Sequence, residues 1–172
     1  MSIFIYLQIT NIYFRRELIM RMSLLTPKQL LIWRLRRRGM RQAEIARKMG
    51  ILRQEVNRAF FAIDSKIERA LIEAANMNRL NILHIDPVNG ILEAYSPSHR
   101  VPVIISFSEA NNIQVWYLYE GRCNECERIN RCRDMLLAEA RERGIEITEE
   151  DLSLAPTHLA KKIFSRYVSS LR

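Results

Sequence analysis

The stretch of residues 44–58, EIARKMGILRQEVNR, decides the fold of the first half of the chain. Its first part places three apolar side chains on one face of a short helix: Ile45, Ala46 and Met49. Gly50 then closes this helix, because glycine readily adopts the left-handed conformation found at helix ends. A new helix begins near Leu52 or Arg53 and is anchored to the core by Val56. The stretch therefore predicts two helices joined by a tight turn.

An earlier helix is indicated by Thr26 and Pro27, since threonine caps helix starts and proline fits the first helical position. Its apolar face is predicted to consist of Leu31, Ile32 and Leu35. Gly39 ends this helix. The first half of the chain is thus predicted to contain three helices.

The third helix keeps its apolar residues three, four or seven positions apart. These residues are Val56, Ala59, Phe60, Ile63 and Ile67. The periodicity extends to Ala75. A helix of this length is expected to protrude from the three-helix module and to act as a linker or a dimer helix.

Four polar side chains are predicted to face outward near the start of the third helix: Arg53, Gln54, Asn57 and Arg58. Arginine can pair with guanine and an amide side chain with adenine, and the recognition helix of a helix-turn-helix protein inserts this end into the major groove. Further candidates for DNA contact are Arg41, Gln42 and Arg47. Phosphate contacts, which set affinity rather than sequence preference, are expected among Arg34, Arg36, Arg37, Arg38, Arg41, Arg47 and Lys48.

Residues 25–63 resemble the helix-turn-helix of archaeal Tfx-type DNA-binding proteins and, more distantly, sigma-factor region four and LuxR-type modules. The likeness lies in residues 34–39 (RLRRRG), residues 44–47 (EIAR) and the Gly50 turn. It implies that the third helix reads the major groove, with recognition roles for Arg53, Gln54, Asn57 and Arg58. The likeness covers under a quarter of the chain and says nothing about residues 80–172.

The chain departs from that family at two helix starts. The family usually has Ser or Thr just before the second and third helices, whereas this chain has Arg41 and Leu52. The loss of each cap lowers the stability of its helix by about 1 kcal/mol. It affects the geometry with which the third helix enters the DNA groove more than it affects the fold. The alternative interpretation of the three helices is a bundle for protein contacts, with solvated arginines.

The charge of the chain is divided unevenly. Residues 1–79 contain 16 Lys and Arg against 6 Asp and Glu, whereas residues 80–172 contain 11 against 13. A basic half joined to a near-neutral half is typical of a nucleic-acid-binding module with an accessory domain. We therefore expect double-stranded DNA as a partner. We also expect a homodimer, because one such module buries too little surface for strong selectivity.

The predicted fold class is α+β, with an N-terminal tri-helical helix-turn-helix domain followed by a small domain. The first domain is placed at residues 23–78 and the accessory domain at residues 79–172. Four β-rich runs predict an antiparallel sheet in the accessory domain: residues 80–85, 91–95, 101–107 and 113–119. Flanking helices are expected at residues 131–143 and 156–171. Residues 1–22 are set apart as an N-terminal extension, without an assigned function.

All three cysteines lie within ten residues, at Cys123, Cys126 and Cys132. A C-x2-C step lets two thiolates chelate one metal ion, and the third can join from the following helix, so a zinc site is one hypothesis. Its fourth ligand would be His84, His99 or His158. The alternatives are an iron–sulfur cluster with a non-cysteine ligand, a disulfide with a free thiol, and packing of small apolar side chains.

The sequence lacks the common catalytic motifs, namely G-x-S-x-G, a phosphate-binding loop, a dinucleotide-type glycine pattern and H-E-x-x-H, so no enzyme is expected. No run reaches the roughly 18 apolar residues of a membrane span, and the chain is expected to be cytoplasmic.

We therefore expect a sequence-specific transcriptional regulator whose second half serves dimerisation, sensing or contact with the transcription machinery. The alternative is a metal- or redox-responsive thiol protein whose helical domain binds protein or RNA. A base-stacking sheet formed by Trp116, Tyr117 and Tyr119 is a lesser alternative, because consecutive strand residues alternate faces.

Overall fold

A computed structural model describes residues 24–119 and 123–168, in which helices and one antiparallel sheet form an α+β fold. Three helices come first: α1 (Pro27–Arg37), α2 (Gln42–Met49) and α3 (Arg53–Met77). The sheet follows as β1 (Asn81–Asp86), β2 (Ile91–Ser96), β3 (Val101–Ser108) and β4 (Asn112–Tyr117). A single 3-10 turn (Cys123–Glu125) then leads to α4 (Ile129–Glu142), α5 (Glu149–Leu152) and α6 (Pro156–Phe164). The predicted α+β class and four-stranded sheet are confirmed, and the N-terminal extension lies outside the described residues.

The helix starts are secured in two different ways. At α1, the Thr26 hydroxyl accepts a hydrogen bond from the Gln29 amide, and the Gln29 side chain accepts one from the Thr26 amide. Arg41 and Leu52 offer no side-chain cap to α2 and α3. Instead, Glu44 accepts from the Arg41 amide at 2.7 Å, and Glu55 accepts from the Leu52 amide at 3.1 Å. These glutamates supply the returning half of a capping box, which partly offsets the missing caps.

The sheet is a meander in which each strand pairs antiparallel with the next, in the order β1-β2-β3-β4. The register of β1 shifts between Ile82 and His84, so Leu83 is an extra residue in this strand. Such a bulge increases the local twist of an edge strand.

One apolar core lies between α3 and one face of the sheet. The second half of α3 contributes Ile67, Leu71 and Ala75, which are fully buried. They belong to the same cluster as Leu92, Val103 and Ile105 of the sheet and Ile32, Ile45 and Val56 of the first three helices. The second half of the third helix thus extends beyond the first two helices and packs on the sheet, and its role as a linker or dimer helix stays a prediction. The predicted boundary at residues 78 and 79 stays a prediction, and this core includes residues from both sides of it.

A second core covers the opposite face of the sheet. Here α4 and α6 pack against Ile91, Ile104 and Leu118, and they contribute Leu136, Ala140, Leu159, Ile163 and Phe164. The sheet thus lies between two helical layers. This arrangement places the start of α3 and the end of β4 on separate parts of the molecule, and each part carries one of the polar sites described below.

The first helix is oriented by Trp33 rather than by Leu31. Leu31 is 40% exposed, whereas Trp33 is 1% exposed. The Trp33 indole N–H donates to the Val88 carbonyl oxygen at 2.9 Å, and its ring lies 5.1 Å from that of Phe107. The predicted apolar face of this helix was wrong at Leu31, because the indole binds the turn between β1 and β2.

Candidate functional site

Five polar side chains meet at the start of α3, and we call them the polar face: Gln42, Arg53, Gln54, Asn57 and Arg58. They line one open depression of about 510 Å³. Arg53, Gln54, Asn57 and Arg58 are all exposed, as predicted. The Gln42 amide donates to the Asn57 side-chain oxygen at 3.0 Å, which fixes the two amides relative to each other. Four side chains from one helix and one from another thus present donors and acceptors at one surface.

The polar face is held in place by the apolar side of the same helices. Val56, between Gln54 and Asn57, is completely buried, and Ile45 of α2 packs in the same cluster. Gly50 joins the two helices with a left-handed φ of 64°. Because α2 and α3 are packed together, Gln42 and Asn57 come within hydrogen-bonding distance although they lie 15 residues apart.

The two remaining predicted DNA contacts, Arg41 and Arg47, are exposed but do not line the depression. Arg41 is the residue that precedes α2, and Arg47 lies in its last turn. Lys48 in the last turn of α2 and Arg38, just after α1, are also exposed. Four exposed cations thus lie on α2 or in the segment between α1 and α2.

Three other arginines of the predicted phosphate set face the protein's own carboxylates. Arg34 pairs with Glu109, and Arg36 pairs with both oxygens of Asp64 at 2.8 and 2.9 Å. Arg37 pairs with Glu142 at 3.0 Å. The structure thus places the arginines of α1 in internal ion pairs.

Arg37 belongs to a buried group of residues that we call the joint: Trp33, Arg37, Gly90, Glu139, Glu142 and Arg143. The Arg37 guanidinium lies 4.4 Å from the Trp33 ring centroid, and its side chain is only 8% exposed. Burial lowers the pKa of Arg37, and the positive charge of Arg143 lowers it further, while Glu142 opposes both. The joint connects α1 to α4 through charged groups. The sequence did not indicate that these groups contact one another.

Arg143 and Glu139 are the most enclosed charges of the joint. Their side chains are 0% exposed and pair at 2.8 Å. Arg143 also donates to the backbone oxygens of Asn89 and Phe107, and Glu139 accepts from the Ser106 hydroxyl at 2.8 Å. The spacing of four residues on a helix was the signal for the ion pair. Nothing in the spacing indicated its burial.

The three cysteines line a single cavity of about 550 Å³ between β4, α4 and α6. Its other walls include the aromatic residues Trp116, Tyr117 and Tyr119, and the basic residues Arg128 and Arg131. Thr157 also borders it, with its hydroxyl oxygen 3.7 Å from the Cys123 sulfur. All three thiols are free. All three cysteines therefore border one cavity, and the metal site stays a prediction.

The Cys132 thiol is influenced by its burial and by the charges around it. Burial raises the pKa of the Cys132 thiol, and the nearby thiolates of Cys126 and Cys123 raise it further, whereas Arg128 and Arg131 lower it. Among the residues that the structure describes, no three His, Cys, Asp or Glu side chains already stand in a metal-binding arrangement.

None of the three histidines considered as a fourth ligand lines this cavity. His84 lies exposed on the edge strand β1, and His158 is exposed on α6. His99 lies in the turn before β3, where its Nδ1 contacts the Ser96 hydroxyl at 3.0 Å.

The aromatic residues of β4 do not form one stacking surface. Trp116 packs against the second core and donates its indole N–H to Ser106 at 2.9 Å. Tyr117 packs against the first core on the other side of the sheet. This alternation follows from the pleat of the strand.

Neither a protein-family model, nor a curated protein, nor a solved structure matches this chain. The likeness of residues 25–63 to Tfx-type proteins consequently stays a prediction from the motif. Within residues 24–119 and 123–168, no helix has the length and apolar character needed to cross a membrane.

Proposed function

We propose that this protein is a sequence-specific DNA-binding transcriptional regulator of the cytoplasm. In this proposal α2 and α3 form a helix-turn-helix, and the start of α3 enters the major groove. The observation that carries the proposal is the polar face, where exposed arginine and amide side chains share one depression at a helix N-terminus. Helix-turn-helix proteins place this part of the recognition helix against base edges.

The turn between α2 and α3 supports the proposal. It consists of Gly50, Ile51 and Leu52, a length and composition typical of the motif. The N-terminus of α3 also carries the positive end of the helix dipole, which attracts phosphate groups.

The side chains of the polar face fit different base edges. Arg53 and Arg58 each offer a guanidinium fork, which suits the two acceptors of guanine. Gln54 and Asn57 offer a carbonyl oxygen and an NH2 group, which suit adenine. Since Gln42 already donates to the Asn57 oxygen, the Asn57 NH2 group stays available to a base acceptor. These four residues are the proposed sequence readers, with Gln42 positioning Asn57.

Arg41 and Arg47 supply the proposed phosphate contacts, together with Arg38 and Lys48. All four are exposed, so each can approach the DNA backbone without breaking an internal ion pair of α1. Contacts of this kind raise affinity for every duplex and do not select among sequences.

We propose that the regulator acts as a homodimer, because a single helix-turn-helix buries too little surface for strong selectivity. The sheet and the later helices are the proposed source of the dimer interface and of contacts with the transcription machinery. The packing of α3 on the sheet is consistent with a dimer interface in the second half of the chain, because it connects the proposed recognition helix to that half.

Selection of bound duplexes from a random pool tests the proposal most directly. A regulator of this kind enriches a defined half-site, and a dimer enriches two half-sites at a spacing near a whole helical turn. Affinity for the selected duplex should fall linearly with salt on a logarithmic plot, with a slope of about −0.9 per phosphate neutralised. A pool without any enriched sequence contradicts sequence-specific binding, and a preference for RNA over duplex DNA contradicts the assigned partner.

A further inference from the structure

The cysteine cavity offers three sulfur donors, and its side-chain oxygens, such as those of Gln114 and Thr157, are neutral. Its described lining includes Cys123, Cys126 and Cys132 but no carboxylate and no imidazole. Thiolates select soft ions such as copper(I) and zinc, whereas magnesium and calcium require oxygen ligands. The donor set therefore restricts the class of ion that the cavity can hold.

The backbone brings the three thiols in from two adjoining segments. The amide of Cys126 donates to the Cys123 carbonyl oxygen at 3.1 Å, so the first two cysteines share one turn. Cys132 lies in the first turn of α4, whose start follows that turn directly. Among the described residues the three sulfurs do not already form a metal-binding group, so an ion would have to draw them together within the cavity that all three border.

The charges around the cavity fit an ion bound by thiolates. Three thiolates around a monovalent or divalent ion leave a net negative charge. Arg128 and Arg131 line the same cavity and supply positive charge to offset it.

We propose that Cys123, Cys126 and Cys132 bind one soft, thiophilic metal ion in this cavity. Each thiol gives up its proton on binding, so one ion displaces about three protons. With three protein ligands, one coordination position stays open toward the cavity, as in zinc sites that keep a water molecule. The site is independent of the polar face, and its failure leaves the proposed DNA binding untouched.

The test uses the full-length reduced chain, handled anaerobically and stripped with a chelator. Zn²⁺ and Cu⁺ are titrated separately against a competing chromophoric chelator, with Mg²⁺ as the hard-ion control. We expect one Zn²⁺ or Cu⁺ per chain, about three protons released, and no binding of Mg²⁺. Absence of stoichiometric binding by both soft ions overturns the proposal.

Single variants identify the ligands. Cys123→Ser, Cys126→Ser and Cys132→Ser should each weaken binding by more than about tenfold, since even residues that only support metal ligands cost 10- to 100-fold. His158→Ala, which changes an exposed residue beside Thr157, should bind as the unaltered chain does. Unchanged affinity in all three cysteine variants contradicts the assignment.

A measurement on the unaltered chain guards against variants that fail to fold. Alkylation followed by mass spectrometry should show that the bound ion protects all three cysteines together. Equal alkylation with and without the ion refutes the site. Two other results also overturn it: iron with acid-labile sulfide in the anaerobically purified chain, or a disulfide that leaves a single free thiol.

Discussion

The joint and the polar face both depend on arginine, yet the two regions use it in opposite ways. In the joint, Arg143 is fully enclosed and meets Glu139 and two backbone oxygens. On the polar face, Arg53 and Arg58 border an open depression. The difference teaches that the arginines of a basic chain can have two roles. Some join the helical layers, and only the others are exposed to a polyanion.

This comparison predicts two separate kinds of variant. Changes in the joint should lower the free energy of unfolding, since they leave buried groups without partners. Changes on the polar face should leave stability unaltered and affect only binding, because exposed substitutions seldom exceed about 0.5 kcal/mol. A polar-face variant that unfolds the protein would contradict this separation of binding residues from stabilising residues.

The largest effect is expected for Arg143→Met. This change leaves the buried Glu139 carboxylate without its ionic partner, which typically costs about 3–5 kcal/mol. Equilibrium denaturation with urea measures the loss. Arg141→Met is the matched control, because Arg141 is exposed on the same helix and its replacement should change stability by less than about 0.5 kcal/mol. Equal losses in the two variants would refute the role assigned to the joint.

Gly90→Ala should have the next largest effect. Gly90 has a φ of +65°, and a Cβ there would lie 2.9 Å from the Phe107 carbonyl oxygen and 3.1 Å from Trp33 Cζ2. Gly144 has the same φ, but nothing lies within 4 Å of its Cβ position. Gly144→Ala should therefore lower the free energy of unfolding by about 1–2 kcal/mol, because alanine is strained in the left-handed conformation. Gly90→Ala should lower it by the same amount plus about 1–3 kcal/mol, because its Cβ also overpacks the joint.

The difference in the free energy of unfolding between these two alanine variants measures how tightly the joint packs around Gly90, because the strain of alanine at positive φ is common to both. Thermal and urea unfolding of each variant measure this difference. If Gly90→Ala and Gly144→Ala prove equally stable, the turn does not pack tightly against Trp33 and Phe107.

Local periodicity was enough to predict the polar face. Val56 marks the buried side of α3, and the outward residues follow from the helical repeat. The four-stranded antiparallel sheet was also predictable, since each run of β-formers is separated from the next by a short turn.

The joint could not be predicted because its contacts span the chain. Arg37 and Glu142 are 105 residues apart, and no local pattern distinguishes an arginine bound for the interior from a solvated one. Trp33 was missed for the same reason, since its partner Val88 lies 55 residues away. The cysteine cavity was only partly predictable: the sequence shows the three cysteines within ten residues, whereas only the fold shows the cavity that they border and the absence of the three histidines from its lining.

On the polar face, Asn57→Ala should weaken binding to the selected duplex by about 1–3 kcal/mol and relax selection at one base pair. The reason is the loss of an amide that can pair with adenine. Asn76→Ala is the matched control, because it is the same substitution at an exposed position of the same helix. Binding isotherms on the selected duplex and on a single-base variant measure both effects.

Arg53→Ala and Arg69→Ala form a second matched pair for this face. Both residues are exposed on α3, but only Arg53 lines the depression. Arg53→Ala should reduce selectivity and Arg69→Ala should not. If Arg53→Ala lowers affinity for every duplex equally and leaves selectivity unchanged, Arg53 makes only an electrostatic contact and its assignment as a sequence reader is wrong.

The smallest effect is expected from Asp151, which lies in neither region and supplies a pH-dependent reference. Its hydrogen bond to Lys162 and those to Thr148 lower its pKa from 3.8 to about 2. Because the folded-state pKa is below the unfolded value, this carboxylate stabilises the fold above about pH 4, and the contribution disappears as the pH falls toward 2. Urea unfolding between pH 5 and 2 should therefore show a steeper loss for the unaltered chain than for Asp151→Asn. Asp134→Asn, at an exposed position of α4, is the control and should keep the pH dependence of stability of the unaltered chain. If Asp151→Asn also leaves this pH dependence unchanged, the contact between Asp151 and Lys162 does not persist in solution.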